Sequence, residues 1–116
     1  MKLSEIVKTV VKPALKLEFN TTETIQILMA DRYKYFSWGV SSKYNIDNKG
    51  ILLKVSGHHH KAYVLITLDW NDTYTVTLIN NDGSVKTELT MVYFDMLADV
   101  IDGEIEYIDR SEEHTF

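Results

Sequence analysis

The sequence predicts an α+β fold, a mostly antiparallel sheet of about five strands with two N-terminal helices and one C-terminal helix. Three observations predict it. Residues 51–90 alternate strand-like runs with turn clusters and contain no helical period. On both sides of this meander the apolar spacing lengthens from two to between three and four, at 4–12 and 21–33 before it and at 92–102 after it. With 116 residues, the chain can bury roughly two-thirds of its unfolded surface around one core. The reading gives a single α+β domain over residues 1–108 and a flexible acidic tail over 109–116.

The meander is the best specified part. Ala62, Val64, Ile66 and Leu68 alternate with Lys61, Tyr63, Leu65, Thr67 and Asp69, as expected of a strand with unlike faces. Tyr74, Val76 and Leu78 alternate with Thr73, Thr75 and Thr77, and β-branched threonines suit a pleated surface better than a helix. Trp70-Asn71-Asp72 supplies the turn between these runs. Asn80-Asn81-Asp82-Gly83 closes the next hairpin with residues that accept the positive φ of primed turns. Upstream, Ile51, Leu53 and Val55 form one face of a further strand, entered from Asp47-Asn48-Lys49-Gly50 and left at Ser56-Gly57. Downstream, Ser84 to Thr90 gives another, with Val85 and Leu89 inward and Lys86 and Glu88 outward.

The flanking elements follow from capping and breaking residues. Ser4 is read as the N-cap of a first helix, with Glu5 in the turn where the helix dipole favours an anion. Pro13 lacks an N–H, so that helix ends near Lys12 or continues with a kink. Asn20 and Glu23 resemble a capping box for a second helix over 21–33, with Ile25, Leu28 and Met29 as its apolar stripe. From Tyr35 the alternation of Phe36, Trp38 and Val40 reads as a long or bent strand reaching Ile46, with Gly39 at a bulge or close backbone approach. Trp38 is assigned to the core. After the meander, Thr90 caps a helix whose Tyr93, Met96, Leu97, Val100 and Ile101 face inward and whose Asp95, Asp99 and Asp102 face outward, with Gly103 as its stop. Glu104 to Ile108 could add a short edge strand.

Composition excludes several classes of function. Without cysteine there is no thiol catalysis, iron–sulfur ligation, cysteine-rich zinc site or disulfide. The first residues carry Glu5, Lys8 and Lys12, which interrupt any signal-peptide core, and no run approaches the roughly 20 apolar residues that span a bilayer. A cytoplasmic protein with no membrane association is expected. The net charge of −5 disfavours a phosphate backbone as partner, and aromatic residues interleave with lysines only at Tyr33, Lys34, Tyr35, Lys43 and Tyr44, so no nucleic acid is expected.

The conspicuous polar motif is His58-His59-His60. Imidazoles ligate zinc, nickel and copper. Adjacent residues of an extended segment point to alternating sides, so only His58 and His60 converge, and a site needs a third ligand such as Asp69, Asp72 or His114. The preferred reading is a solvated hairpin turn with no cofactor; the alternative is a small metal-dependent enzyme or metal-binding protein using His58 and His60. A hydrolytic set would pair a histidine with Asp69 or Asp72 and take Ser56 as nucleophile. No nucleophile elbow, phosphate-cradling loop or dinucleotide fingerprint accompanies these residues, because the five glycines stand singly. No catalytic residue is assigned.

The reverse face of the sheet, with Tyr63, Leu65, Thr67, Thr75, Thr77 and Ile79, is too apolar for a fully wet face and too polar for a core, and one reading is an ordinary solvent face with scattered apolar residues. Rimmed by Lys54, Lys61 and Asp69, it also reads as a surface for a protein partner or self-association. Tyr63, Leu65 and Ile79, together with the acidic helix side at Asp95, Asp99 and Asp102, are the candidate binding residues.

At Tyr35-Phe36-Ser37-Trp38-Gly39 and at Val92 to Asp102 the chain resembles small uncharacterised proteins of gut Bacteroidales genomes and their mobile elements. The resemblance implies a bacterial or phage cytoplasmic protein, an accessory factor acting by binding another protein. The expected function is therefore non-catalytic protein binding or homo-oligomeric accessory work, with no substrate class legible.

Overall fold

Five strands pair in chain order and antiparallel throughout in the computed structural model, which describes residues 2–105: β1 Ser42–Ile46, β2 Gly50–Lys54, β3 Tyr63–Leu68, β4 Tyr74–Ile79 and β5 Val85–Val92. Helices cover both faces of this meander, so the fold is α+β as the sequence predicts. α1 occupies residues 3–14, and α2 Thr21–Met29, α3 Arg32–Ser37 and α4 Leu97–Ile105 follow. The edge-strand reading of 104–108 gives way to α4 at Glu104 and Ile105; its remaining residues and the tail at 109–116 lie outside the described residues.

The register sorts the side chains into two cores. Ile51, Leu53, Val64, Ile66, Tyr74, Val76 and Leu78 point to the face covered by α2, α3 and α4, where they meet Leu28, Trp38, Leu97, Ile101 and Ile105. Leu52, Tyr63, Leu65 and Ile79 point the other way and meet Ile6 and Val11 of α1. Ala62, which alternation places with Val64, belongs to this second core. Each fully buried aliphatic side chain adds about 1.5–3 kcal/mol, so both helical layers are held by apolar burial.

α1 shows how the chain accommodates Pro13. An α-helical turn at Leu3–Ile6 passes into a π-helical turn at Val7–Val11 and back into a turn at Lys12–Ala14, and the Lys12 N–H donates to the Val7 carbonyl. The wider turn removes the need for a donor at Pro13, and the helix continues. Thr9 Oγ1 donates to the Glu5 carbonyl at 2.7 Å. Ser4 is not the cap: Lys2 holds that position without a side-chain bond.

Residues 15–20 then carry the chain around the sheet. Leu15 packs in the α1 core and Phe19 in the opposite one, stacked edge-on against Tyr74 at 5.9 Å. The Phe19 N–H donates to the Asn48 carbonyl (2.9 Å), fixing the crossing to the β1–β2 turn. Gly50 makes room for it, since a Cβ there would lie 2.6 Å from Leu15 Cδ2.

The expected Asn20 cap is present, its Oδ1 accepting from the Glu23 N–H at 3.0 Å. The helix expected over 21–33 instead breaks after Met29, because Asp31 starts a new helix by accepting from the Lys34 N–H at 3.2 Å. Tyr35 to Ser37 are therefore helical rather than extended. The alternation of Phe36, Trp38 and Val40 reflects a short helix running into a loop. Gly39 ends α3 with φ 61 and its N–H on the Phe36 carbonyl; a Cβ would sit 3.0 Å from the Ser56 carbonyl oxygen, the close backbone approach expected there.

Turn chemistry also redistributes. The primed geometry falls at Asp47-Asn48, with φ 56 and 57 and the Lys49 N–H on the Ile46 carbonyl. At Asn80–Ser84 only Gly83 has positive φ, at 87, as in a three-residue loop ending in a left-handed glycine. β5 carries two register shifts against β4, and within the one between Tyr74 and Val76 Met91 takes φ 57. These bulges bend an exposed edge strand and make it a poor template for another strand.

The last helix begins later than its apolar spacing implies. Residues 93–96 form a turn, with the Met96 N–H on the Tyr93 carbonyl, and Gly103 sits inside α4 rather than ending it. Tyr93 and Met96, expected inward, are about half exposed at 52% and 45%.

Candidate functional site

The surface expected at Tyr63, Leu65 and Ile79 is a core. Leu65 and Ile79 have no exposed area and Tyr63 retains 6%, because α1 lies over them. Thr67, Thr75 and Thr77 on the same face are buried as well.

Two of the three candidate acids bond to residues of the α3 segment, Asp99 from a side chain that stays 69% exposed. Asp99 pairs with Lys34 of α3, which also lies 3.6 Å from Asp31, and this pairing raises the Lys34 ammonium above its ordinary value. Asp102 Oδ1 accepts from Trp38 Nε1 at 3.0 Å. The two carboxylates thus fasten α3 to α4 instead of forming a free acidic side. Asp95, in the turn before α4, is exposed.

The histidine run is a junction between elements. His60, at 3% exposure, is buried rather than solvated, and its Nε2 lies 2.9 Å from the Tyr63 carbonyl, so that nitrogen carries the proton and donates. The His59 N–H donates to the Ile105 carbonyl at 2.6 Å, its own carbonyl accepts from Lys86 Nζ at 2.7 Å, and the His58 and His59 rings pack edge-on. Asp69 is committed elsewhere, to Lys16 Nζ at 2.6 Å and Thr75 Oγ1 at 2.5 Å. Burial pushes its carboxyl up, but these two hydrogen bonds prevail and hold it below the usual carboxylate value. Asp72 forms part of the β3–β4 turn with φ 61, and His114 lies outside the described residues. Among the described residues no three histidines, aspartates or glutamates gather as a metal would require.

Burial lowers the His60 pKa from its ordinary 6.5, aided by the nearby Lys86 charge and opposed by the ring's hydrogen bonding to the Tyr63 and Ile79 backbone. The folded state therefore binds fewer protons than the unfolded chain once the pH drops below about 6.5. Stability is complete above that pH and is expected to decline as the pH falls from 7 towards 5, by at most about 1.4 kcal/mol per unit. Urea titrations at several pH values should show this slope, and His60→Gln, which keeps a donor for the Tyr63 carbonyl, should flatten it. The low carboxyl of Asp69 contributes only below about pH 4.

Exposed apolar residues stand at several places, among them Trp70 in the β3–β4 turn and Val85 on β5, and a further set lies on the helical layer and the β5–α4 connection. Tyr33 and Phe36, one turn apart on α3, are 89% and 78% exposed, and Phe94 in the β5–α4 connection is 64% exposed. Between that connection and α2 lies a hollow of about 590 Å³, walled by Ile27, Ala30 and Phe94 and rimmed by Asn20, Glu23 and Asp95. Its floor is the pair Thr24 Oγ1 and Tyr74 OH, hydrogen-bonded to each other at 3.0 Å. A second hollow at Ala30, Asp31, Arg32 and Tyr33 shares Ala30 with it, so the concave surface continues towards the α2–α3 corner. Sequence reasoning found only Asp95 here. The available signal was the run Met91 to Phe94 followed by Met96, more consecutive apolar residues than one stripe of a helix can bury.

The chain matches no family model, no curated protein and no solved structure in the three comparisons made. Among the described residues no helix is long and apolar enough to cross a membrane.

Proposed function

We propose that the chain is a non-catalytic protein-binding module, and that its contact surface is the concave apolar patch formed by α2, α3 and the β5–α4 connection. One observation carries this reading. Phe94, 64% exposed, walls an apolar hollow on the helical layer and Tyr33, 89% exposed, lines the one adjoining it at Ala30, while the chain has buried two complete cores. Exposed aromatic residues around a depression are the composition of interface hot spots. The half-exposed Met29 and Met96 add side chains that reshape themselves to a partner. An accessory role in a bacterial or phage cytoplasm, the implication of the resemblance at 35–39 and 92–102, is part of the proposal.

A photo-crosslinking amino acid at position 94 of the full chain tests it, with the same group at Glu88 on β5 as the control. A discrete adduct with another protein from position 94, absent from position 88, is expected in host cells. Identical labelling from the two positions would overturn the reading.

A further inference from the structure

We infer that the partner segment seated in the hollow between α2 and the β5–α4 connection is basic and apolar, with an apolar side chain between Ile27 and Phe94 and a lysine or arginine against Glu23 and Asp95. This rests on the protein-binding reading above and names the chemistry of the occupant.

Charge makes the selection. The walls, Ile27, Ala30 and Phe94, offer no polar group, and the two hydroxyls of the floor already bond to each other. The rim is different. Glu23 and Asp95 both stand at its edge, and among the described residues neither takes part in an ion pair, whereas Asp31 and Asp99 of the same layer both lie against Lys34. The Asn20 carboxamide oxygen is occupied by the Glu23 N–H, so the rim presents two uncompensated carboxylates above an apolar slot. A cation placed between them also meets the exposed ring of Phe94, whose face attracts positive charge. A second copy of this chain is a poor occupant. A two-fold contact through the hollow would set Glu23 and Asp95 against their own counterparts, in a chain that already carries a net charge of −5.

The test uses the full chain and three fluorescent synthetic peptides of about 14 residues, one with Leu and Lys at amphipathic helical spacing, one with Glu for each Lys, and one with Ser for each Leu. Anisotropy titrations at about 50 mM and about 300 mM salt should show the Leu/Lys peptide binding at least about 10-fold more tightly than either of the others, and more weakly at the higher salt. E23Q/D95N is expected to weaken it about 5-fold, two rim ion pairs being modest. F94A should weaken it about 10-fold or more, and E88Q should leave it unchanged. Equal binding of the Glu peptide, or E23Q/D95N within about twofold of the parent, overturns the inference. So does a solution mass of two copies that falls to one in F94D. A crosslinked partner at position 94 whose contacting segment is acidic overturns the charge assignment and leaves the binding reading standing. Absence of both adduct and peptide binding removes the two together.

Discussion

Lysine in place of Leu65 is expected to abolish most of the stability of the fold. Leu65 has no exposed surface and lies between the sheet and α1, in contact with Leu52, Ile79 and the helix residues Ile6 and Val11. Removing a buried leucine side chain costs about 2–5 kcal/mol. An ammonium group at this position must shed its proton to stay buried, which at pH 7 costs about 1.4 kcal/mol for each of the roughly three units to the usual lysine value. The sum, about 6–9 kcal/mol, is comparable with the entire stability of an ordinary domain, about 5–15 kcal/mol. Urea unfolding followed by far-ultraviolet circular dichroism should show a midpoint near zero denaturant for Leu65→Lys and a clear but smaller loss for Leu65→Ala. A Leu65→Lys midpoint equal to the parent's would show that α1 does not cover this face in solution.

The second large effect is expected at Trp38. This ring has no exposed area, packs against Tyr35 at 5.7 Å, and ties α3 to α4 through Asp102. Its carbonyl also accepts from the Ser56 N–H at 2.9 Å, so the residue joins α3, α4 and the β2–β3 connection. Trp38→Ala should cost about 3–5 kcal/mol, which for a chain of this size lowers Tm by roughly 12–20 °C. Trp38→Phe keeps most of the volume and loses the hydrogen bond to a charged acceptor, about 1.5–3 kcal/mol. Asp102→Asn, in a cycle with Trp38→Phe, isolates the pair from the packing; additive losses would mean that the two side chains do not interact. Trp70, at 79% exposure, can be replaced by Phe so that fluorescence reports the buried ring alone.

The sheet was legible because its determinants are local. Alternation in 62–68 and 73–79 and turn residues at 70–72 and 80–83 act within a few positions, whereas the order in which all five strands pair was not legible and is seen only in the structure. The Asn20 cap was legible for the same reason. What failed to appear depends on partners distant in sequence. Thr67, Thr75 and Thr77 make the reverse face look too polar for a core, yet they are buried on the face that α1, more than fifty positions earlier, packs against, and no period within the strand announces that cover. Asp99 and Asp102 fit a solvated helix side until Lys34 and Trp38 meet them from α3. Phe36 and Trp38 alternate as strand residues do, and only the Asp31 cap distinguishes a six-residue helix from an extended segment. Of the proposed site, Asp95 was visible as an acid, but its hollow requires α2 and the β5–α4 connection to be side by side.

The crossing at residues 15–20 makes α1 in effect a ligand of its own domain. Leu15 and Phe19 are four positions apart yet belong to opposite cores, so this short strap holds α1 at the sheet by tethering as well as by apolar contact. A short tether gives an effective concentration in the millimolar range, far above that of any free peptide in solution. Cleaving the strap would leave the helix as a peptide that must find its groove at bulk concentration, and occupancy of the Leu65 face would become a matter of dose.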